Sequence, residues 1–205
     1  MIYLICGQKG TGKSLTTNSI VNRLLKRKYY NFIYCNKPLK HAKQIDSIDW
    51  VRYKFPENSA IIIDEAQLYF NSREFSKLTK NGIGMELLDF LTMCRHYKLD
   101  IYFITQSHNR IDLQIRELSD YVYYLKKTFK IPFINLPFLT FGYKFPDIME
   151  FEKFVNPNNF QKEYNCRYLF KVILYRDLKL YDTHHIEKDY LNKPMILNKD
   201  WKLIA

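Results

Sequence analysis

The stretch GQKGTGKS places two glycines, a lysine and a hydroxyl at a spacing suited to phosphate binding. Its glycines let backbone N–H groups point into one concave nest, and the lysine ammonium reaches the outer phosphates of a nucleotide. Ser14 is predicted to bind Mg²⁺. These features predict a site for ATP and Mg²⁺. The expected nucleotide contacts are Gly7, Gln8, Lys9, Gly10, Thr11, Gly12, Lys13, Ser14 and Leu15.

A second chemical signal is the acidic pair that ends the apolar run AIIIDE. At the end of a buried strand, Asp64 is predicted to face the Mg²⁺ shell, and Glu65 is predicted to polarise a water in line with the γ-phosphate. Small-molecule kinases usually lack the second acid. The pair therefore favours ATP hydrolysis and makes Glu65 a candidate catalytic residue.

A third polar position, Gln106, follows the run DIYFIT. Ligands gather outside the carboxyl ends of parallel strands, so Gln106 is predicted to face the γ-phosphate and sense it. A simple strand cap is the alternative interpretation.

Alternating strands and helices are predicted to position these groups. Hydrophobic patterning predicts strands at 2–6, 32–35, 60–64, 100–106 and 121–127, and helices at 13–28, 84–97 and 112–120. This order predicts an α/β P-loop NTPase with a mainly parallel central sheet flanked by helices.

The pattern changes after residue 127. The stretch 145–155 is ambiguous, whereas 168–175 and 178–183 are predicted strands joined by a tight turn. We expect one domain over 1–205, with 128–205 as its C-terminal β-containing extension. That extension is predicted to be either a hairpin added to the sheet or an oligomer contact.

Composition narrows the class of protein and its surroundings. Among 205 residues, 32 Lys and Arg against 21 Asp and Glu give a net charge of +11, which favours polyanionic partners or reflects solvated basic surfaces. The four cysteines lie far apart and are predicted to be reduced core thiols in a cytoplasmic compartment. We expect neither a signal peptide nor a transmembrane segment, because no apolar run approaches about 18 residues.

Longer patterns resemble the Zot family, which includes zonula occludens toxin and the filamentous-phage assembly ATPase, within the HerA/FtsK group of ring-forming DNA motors. The similar stretches are IIIDEAQLYFNSREF and FLTMCRHYKLDIYFITQSHNRIDLQIRELSDYVYYLKK, and the resemblance runs from residue 2 to about 185. Matching positions are Phe70, Arg73, Arg95, His96, Asp100, Ile101, Asp112, Arg116, Tyr181, Asp182 and Thr183.

The resemblance implies a phage or prophage ATPase that drives virion assembly and extrusion of phage DNA. It implies a homo-oligomeric ring in the host cytoplasm, at the cytoplasmic face of the inner membrane, with coat or membrane assembly proteins as partners. Filamentous-phage relatives carry a transmembrane helix after this domain, whereas this sequence stops at Ala205. It is expected to be either the cytosolic portion of a longer protein or a member without its own anchor.

The resemblance also makes Arg95 the candidate arginine finger, acting on a neighbour's γ-phosphate. Capping of helix 84–97 is the alternative role, with Arg110 and Arg116 as competing fingers and Arg73 as a brace for the acidic loop. Bound DNA is expected to be single-stranded and contacted without sequence preference. Candidate contacts are Lys26, Arg27, Lys28, Lys37, Lys40 and Lys43, with Tyr29, Tyr30 and Tyr34 as either stacking platforms or core residues.

Two other functions stay open at this point. One is an ATPase that packages duplex DNA into an icosahedral capsid. The other is a nucleotide-gated assembly factor that docks coat or membrane partners without DNA. A nucleoside kinase fits poorly, because no acceptor-binding motif is apparent and Glu65 would have no task. The pair His184–His185 is interpreted as a surface pair rather than a metal site.

Overall fold

The computed structural model describes residues 1–45, 48–130, 138–156 and 165–173. Its strands are β1 (Ile2–Cys6), β2 (Phe32–Cys35), β3 (Lys43–Gln44), β4 (Ser59–Ile63), β5 (Leu99–Thr105), β6 (Tyr121–Lys130), β7 (Phe138–Phe145) and β8 (Arg167–Ile173). Its α-helices are α1 (Lys13–Lys26), α2 (Gln67–Phe70), α3 (Ser72–Lys80), α4 (Ile83–Met93), α5 (Leu113–Glu117) and α6 (Ile148–Val155). Short 3₁₀ helices span Ile48–Arg52 and His108–Arg110.

The strands form one sheet in the order β3-β2-β4-β5-β1-β6-β7-β8. Strands β1 to β6 pair in parallel, whereas β7 and β8 extend the sheet antiparallel. Because β1 lies between β5 and β6, the chain leaves β1 at a point where the strand order reverses. The carboxyl ends of β1, β4 and β5 meet at one edge, where ligands of open α/β sheets bind.

Alternating side chains of the central strands build two cores. Ile2, Leu4 and Cys6 of β1 face the core that α3, α4 and α6 cover, whereas Ile5 faces the core on the α1 side. Strands β4 and β5 are buried along their whole length. The sequence shows continuous apolar runs there because each strand is covered on both faces.

The predicted fold class is confirmed, with differences in detail. The predicted helix 84–97 ends at Met93, because the chain turns over residues 94–98 and Lys98 adopts a left-handed conformation with φ of 52°. The ambiguous stretch 145–155 contains helix α6, whose N-cap Asp147 accepts a hydrogen bond from the Glu150 N–H.

Helices α2 and α3 were not predicted, because 67–80 is polar apart from a few anchors such as Phe70 and Phe75. Strand β7 was missed as well. Strand β8 confirms the first part of the predicted strand 168–175, and β7 and β8 support the prediction that the chain adds strands to the sheet. The predicted strand 178–183, Tyr181–Asp182–Thr183 and His184–His185 lie outside the described residues.

The structure also bears on two further expectations, the state of the cysteines and the role of Tyr30 and Tyr34. All four cysteines are free thiols, and Cys6, Cys35 and Cys94 are buried. Tyr30 is a core residue whose hydroxyl donates a hydrogen bond to Asp100 Oδ2 at 2.5 Å, and Tyr34 packs edge-on against Phe55. These two tyrosines are therefore not stacking platforms. Across the described segments, every helix is too short or too polar to cross a bilayer.

Candidate active site

The glycine loop connects β1 to α1 at the ligand-binding edge of the sheet. Gly7, Gly10 and Gly12 have φ values of 154°, 81° and 76°, conformations that suit glycine and turn backbone amides inward. Helix α1 then begins at Lys13, so its positive dipole end points into the same loop. The loop therefore has the backbone form of an anion nest.

The Lys13 side chain folds back over this loop. Its Nζ donates hydrogen bonds to the carbonyl oxygens of Gly7 and Gln8, at 2.8 and 2.9 Å. Burial lowers the pKa of Lys13, an effect that Glu65 and Asp64 oppose by attraction. Its ammonium thus lies at the mouth of the nest, between the loop carbonyls and the acidic pair.

Asp64 links the loop to the neighbouring strands. Its Oδ2 accepts a hydrogen bond from Ser14 Oγ at 2.8 Å and lies 3.5 Å from Lys37 Nζ. The Asn36 side chain holds the Asp64 backbone from both sides, donating to its carbonyl at 2.8 Å and accepting from its N–H at 2.7 Å. Asp64 is thereby fixed against Ser14 by groups from β2 as well as β4.

Glu65 lies beside the loop in a left-handed conformation, with φ of 52°. Non-glycine residues rarely adopt this conformation, and such strain clusters at active sites. Its Oε2 accepts hydrogen bonds from the Nε2 amides of Gln67 and Gln106, the latter at 3.5 Å. Gln106 Oε1 in turn accepts a hydrogen bond from Arg110 Nη1 at 3.3 Å.

The structure thus brings together most of the sequence-predicted site. Asp64, Glu65, Gln106, Lys13 and Ser14 all lie at one edge of the sheet. The remaining loop residues differ in exposure: Thr11 is buried and donates a hydrogen bond to the Gln8 carbonyl, whereas Gln8, Lys9 and Gly10 are exposed. Leu15 is half-buried in the first turn of α1.

Arg95 is not part of this cluster. It precedes β5, so it lies at the amino-terminal edge of the sheet, and its guanidinium forms an ion pair with Asp120. Arg116 is mostly buried, where it contacts Asn109 Oδ1 and Glu152 Oε1, each at 3.2 Å. Arg110 is the competing arginine that reaches the site, through Gln106. A finger role for Arg95 toward a neighbouring subunit stays a prediction.

Three residues of the site were missed as site residues in the sequence. Asn36 and Lys37 follow β2, and their role depends on the pairing of β2 with β4, which brings them to Asp64 and which the sequence does not reveal. Lys37 had been assigned to a DNA-binding surface. Gln67 had no signal in the sequence either, because its contact with Glu65 depends on the left-handed turn at Glu65.

The oxygen chemistry of the cluster fits Mg²⁺. Ser14 and Asp64 present a hydroxyl and a carboxylate oxygen within 2.8 Å of each other, and Mg²⁺ prefers such oxygen ligands with waters and substrate phosphates completing its shell. A P-loop serine and a strand-end aspartate hold this ion in P-loop NTPases. The donor set is therefore suited to a magnesium–nucleotide complex.

His108 gives the loop after Gln106 a pH-dependent stability. It is buried edge-on against Phe151, and this burial, together with Arg116, lowers the pKa of His108 from 6.5 to about 4. The unfolded chain takes up this proton near pH 6.5, whereas the folded chain does not until about pH 4. Stability is therefore expected to fall by roughly 1–3 kcal/mol as pH decreases through that window.

Urea unfolding between pH 7.5 and pH 4.5 measures this effect. His108→Phe, which keeps a ring against Phe151, is expected to remove that part of the pH dependence. An unchanged pH profile in the variant would show that other groups cause the loss of stability.

Comparisons with known proteins show the family to which the chain belongs. The model of the family Zonular occludens toxin (Zot) matches residues 18–137. The Gene 1 protein of Enterobacteria phage I2-2 is 24% identical over 162 residues, and that of Salmonella phage IKe is 25% identical over the same length. Each alignment covers 67% of this chain and 42% of the relative, so the chain spans less than half the length of these proteins.

Solved structures show the same fold. The N-terminal domain of zonular occludens toxin from Neisseria meningitidis matches with a TM-score of 0.57 and 19% identity, covering 88% of this chain and 98% of that domain. The genome packaging NTPase B204 from Sulfolobus turreted icosahedral virus 2, in complex with ATP-gammaS, matches with a TM-score of 0.50 and 14% identity, covering 84% and 98%. The family match spans more than half of the sequence, and the chain therefore belongs to the Zot family.

Proposed function

We propose that this chain is the ATP-hydrolysing part of a phage or prophage motor that drives virion assembly by extruding phage DNA. The observation that carries the proposal is the joining of Ser14, Asp64, Glu65 and Gln106 beside the glycine loop. A site that only stores or docks a nucleotide needs the glycine loop alone. A glutamate in a strained conformation, held by two side-chain amides, is suited to activating a water for hydrolysis. Family membership supports the phage assignment.

We assign nucleotide binding to the glycine loop and Mg²⁺ binding to Ser14 and Asp64. Inward amides of residues 7–15 hold the β- and γ-phosphates, and Lys13 exchanges its loop carbonyls for phosphate oxygens. Ser14 and Asp64 hold Mg²⁺, which when bound neutralises charge that develops on the phosphate oxygens. Ser14 already contacts the Asp64 carboxylate and Asn36 holds the Asp64 backbone, so little ordering is left for binding.

Hydrolysis is assigned to Glu65. Its carboxylate accepts a proton from a water as the water oxygen bonds to the γ-phosphorus and the bond to the β–γ bridging oxygen breaks. Gln106 and Gln67, which both donate to Glu65 Oε2, fix the direction of the carboxylate. Products are ADP and inorganic phosphate.

A homo-oligomeric ring is proposed because Glu65 Oε2 accepts hydrogen bonds from the side-chain amides of Gln67 and Gln106, and neither amide carries a positive charge. A transition-state cation supplied by a neighbouring subunit is worth about 10³–10⁵ in rate. We assign this role to an exposed arginine of the neighbour, with Arg95 as the candidate. Turnover per chain is then expected to rise with protein concentration.

Steady-state ATP turnover against protein concentration tests the function, with no DNA, single-stranded DNA or duplex DNA. A steep rise with concentration together with stimulation by single strands supports the extrusion motor. Stimulation by duplex alone would instead support packaging of duplex DNA into a capsid. Turnover that is flat and indifferent to DNA would reject both motors and favour an assembly factor that docks coat or membrane proteins.

Lys37 provides a test of the Mg²⁺ assignment. Its ammonium lies 3.5 Å from Asp64 Oδ2, and both side chains are mostly buried, so it competes with a metal ion for that carboxylate. In Lys37→Met, the Mg²⁺ concentration for half-maximal nucleotide binding is expected to fall about fivefold, corresponding to ~1 kcal/mol. Titration of a fluorescent ATP analogue with Mg²⁺ measures it.

The matched control is Lys40→Met, which removes an exposed lysine from the same loop. Its Mg²⁺ requirement is expected to equal that of the parent chain. An unchanged or increased requirement in Lys37→Met would place the metal away from Asp64.

A further inference from the structure

A cleft opens near Glu65, since its lining residue Gln67 donates a hydrogen bond to Glu65 Oε2. It has a volume of about 340 Å³, within the range of ligand pockets. Its walls are the segment that follows Glu65 and the segment that follows Gln106. The lining residues are Gln67, Asn71, Ser72, Arg73, Asn109 and Arg110. None of them is acidic, and two are arginines, so we name it the Arg73–Arg110 cleft.

The two walls are held firmly together. The Asp112 N–H donates a hydrogen bond to the Phe70 carbonyl at 2.8 Å, which ties the end of α2 to the loop after β5. Phe70 is buried edge-on against Phe103 of β5. The cleft is therefore a built feature with a fixed floor, rather than a gap between two separate loops.

The two arginines are the main hydrogen-bond donors of the cleft, because the Asn71 amide nitrogen already donates to the Gln67 carbonyl at 3.0 Å. Asn71 uses its side-chain oxygen to cap α3, and Asn109 uses its oxygen to accept from Arg116. Arg73 is exposed, and within the described ranges neither it nor Arg110 forms an ion pair with a carboxylate. Two unpaired guanidiniums beside an amide nitrogen match the oxygens of a phosphate group.

One wall of this cleft is connected to the candidate catalytic residue. Arg110 Nη1 donates to Gln106 Oε1 at 3.3 Å, and Gln106 Nε2 donates to Glu65 Oε2 at 3.5 Å. Gln67 lines the cleft and also donates to Glu65 Oε2, while its own Oε1 is buried without a hydrogen-bond partner among the described residues. An anion bound in the cleft would compete with Gln106 for the Arg110 guanidinium and change how Glu65 is held.

We propose that the Arg73–Arg110 cleft binds the phosphodiester backbone of a nucleic-acid strand and transmits its presence to Glu65 through Arg110 and Gln106. The net charge of +11 favours a polyanion over an isolated anion. A bound phosphate competes with Gln106 Oε1 for the Arg110 guanidinium, so the strand favours the form in which the Arg110–Gln106 hydrogen bond is broken. This inference rests on the proposed function, since it couples nucleic acid to ATP hydrolysis.

Fluorescence anisotropy with a short labelled single strand tests the binding site. The variant Arg73→Gln/Arg110→Gln is expected to bind at least about tenfold more weakly, because it loses two charged contacts to phosphate. Between about 50 and 200 mM salt, the slope of the logarithm of its binding constant against the logarithm of the salt concentration is expected to be shallower by about 1.4, because each of the two lost phosphate contacts contributes roughly 0.7. Polyglutamate serves as a competitor with carboxylates in place of phosphates.

The matched control is Lys54→Gln/Lys98→Gln, which removes the same charge from exposed positions that precede β4 and β5, at the opposite edge of the sheet. It is expected to keep the affinity and salt slope of the parent chain. Equal weakening in both variants would reject a site at the cleft. Competition by polyglutamate as strong as that by unlabelled DNA would reject recognition of the phosphodiester backbone.

The coupling to Glu65 is tested by the ratio of ATP turnover with and without the strand. Arg110→Gln is expected to bring this ratio close to one even at saturating strand, whereas Lys54→Gln/Lys98→Gln keeps the ratio of the parent chain. A parent-like ratio in Arg110→Gln at saturation would overturn the coupling.

Binding and turnover measurements on the parent chain distinguish failure of this inference from failure of the proposed function. Turnover of ATP without any binding of nucleic acid would overturn the cleft proposal and leave the ATPase standing. Strand binding that depends on the cleft arginines, in a chain that neither binds nor hydrolyses ATP, would overturn the ATPase and the coupling and leave the binding site.

Discussion

Glu65→Gln is expected to reduce ATP turnover by roughly 10²–10⁴-fold while nucleotide affinity stays within about threefold. The amide keeps the size of the side chain but cannot accept a proton from water. The loop, Lys13 and the Ser14–Asp64 pair do not involve the Glu65 carboxylate, so phosphate binding should survive. Steady-state hydrolysis and equilibrium titration with a fluorescent ATP analogue measure the two quantities separately.

A suitable control is Glu74→Gln, the same chemical change at a carboxylate of α3 that pairs with Lys77. It should leave turnover unchanged. If Glu65→Gln retained a tenth or more of the parent turnover, Glu65 would not be the base. A joint loss of affinity and turnover would indicate instead that Glu65 contributes to binding.

Gly7→Ala is expected to lower nucleotide affinity at least 100-fold and to destabilise the fold by about 2–4 kcal/mol. A Cβ at this position would lie 2.3 Å from the Leu125 carbonyl oxygen and 2.9 Å from Thr11 Oγ1. The first neighbour is backbone of β6, where Leu125 pairs with Gly142 of β7, so it cannot rotate away as a side chain could. The loop must shift, and its amides lose their common direction.

Gly10→Ala separates this clash from backbone strain. Gly10 also has a positive φ, 81°, but a Cβ there would meet nothing within 4 Å. It is therefore expected to cost only about 1–2 kcal/mol. Urea unfolding and nucleotide titration of both variants make the comparison, and equal effects would contradict a role for the β6 contact.

Much of the site was predictable from sequence because its parts are local. The glycine loop, the strand before it and the helix after it are adjacent in the chain, so spacing alone identifies Lys13 and Ser14. Asp64, Glu65 and Gln106 were predictable from a general rule, because polar residues after buried parallel strands collect at one edge. The structure confirms that these groups meet there.

Contacts between distant segments were not predictable in this way. Lys37 looked like one surface lysine among many until β2 was paired with β4, which brought it to Asp64. Arg95 looked close to the site in sequence, eleven residues before Gln106, yet β5 lies between them and separates them by its length. Gln67 reaches Glu65 only through a left-handed turn, which no pattern of residue types announces.

The sequence alone therefore determined the parallel α/β sheet and the phosphate-binding loop, because hydrophobic period and glycine spacing are properties of short segments. Only the tertiary structure decided which cations belong to the site and which lie elsewhere. It also formed the Arg73–Arg110 cleft, whose two walls come from distant parts of the chain. Arg73 and Asn109 are 36 residues apart, and Gln67 and Arg110 are 43 residues apart. Strand order determines such neighbours, and strand order results from packing of the whole sheet rather than from any one segment.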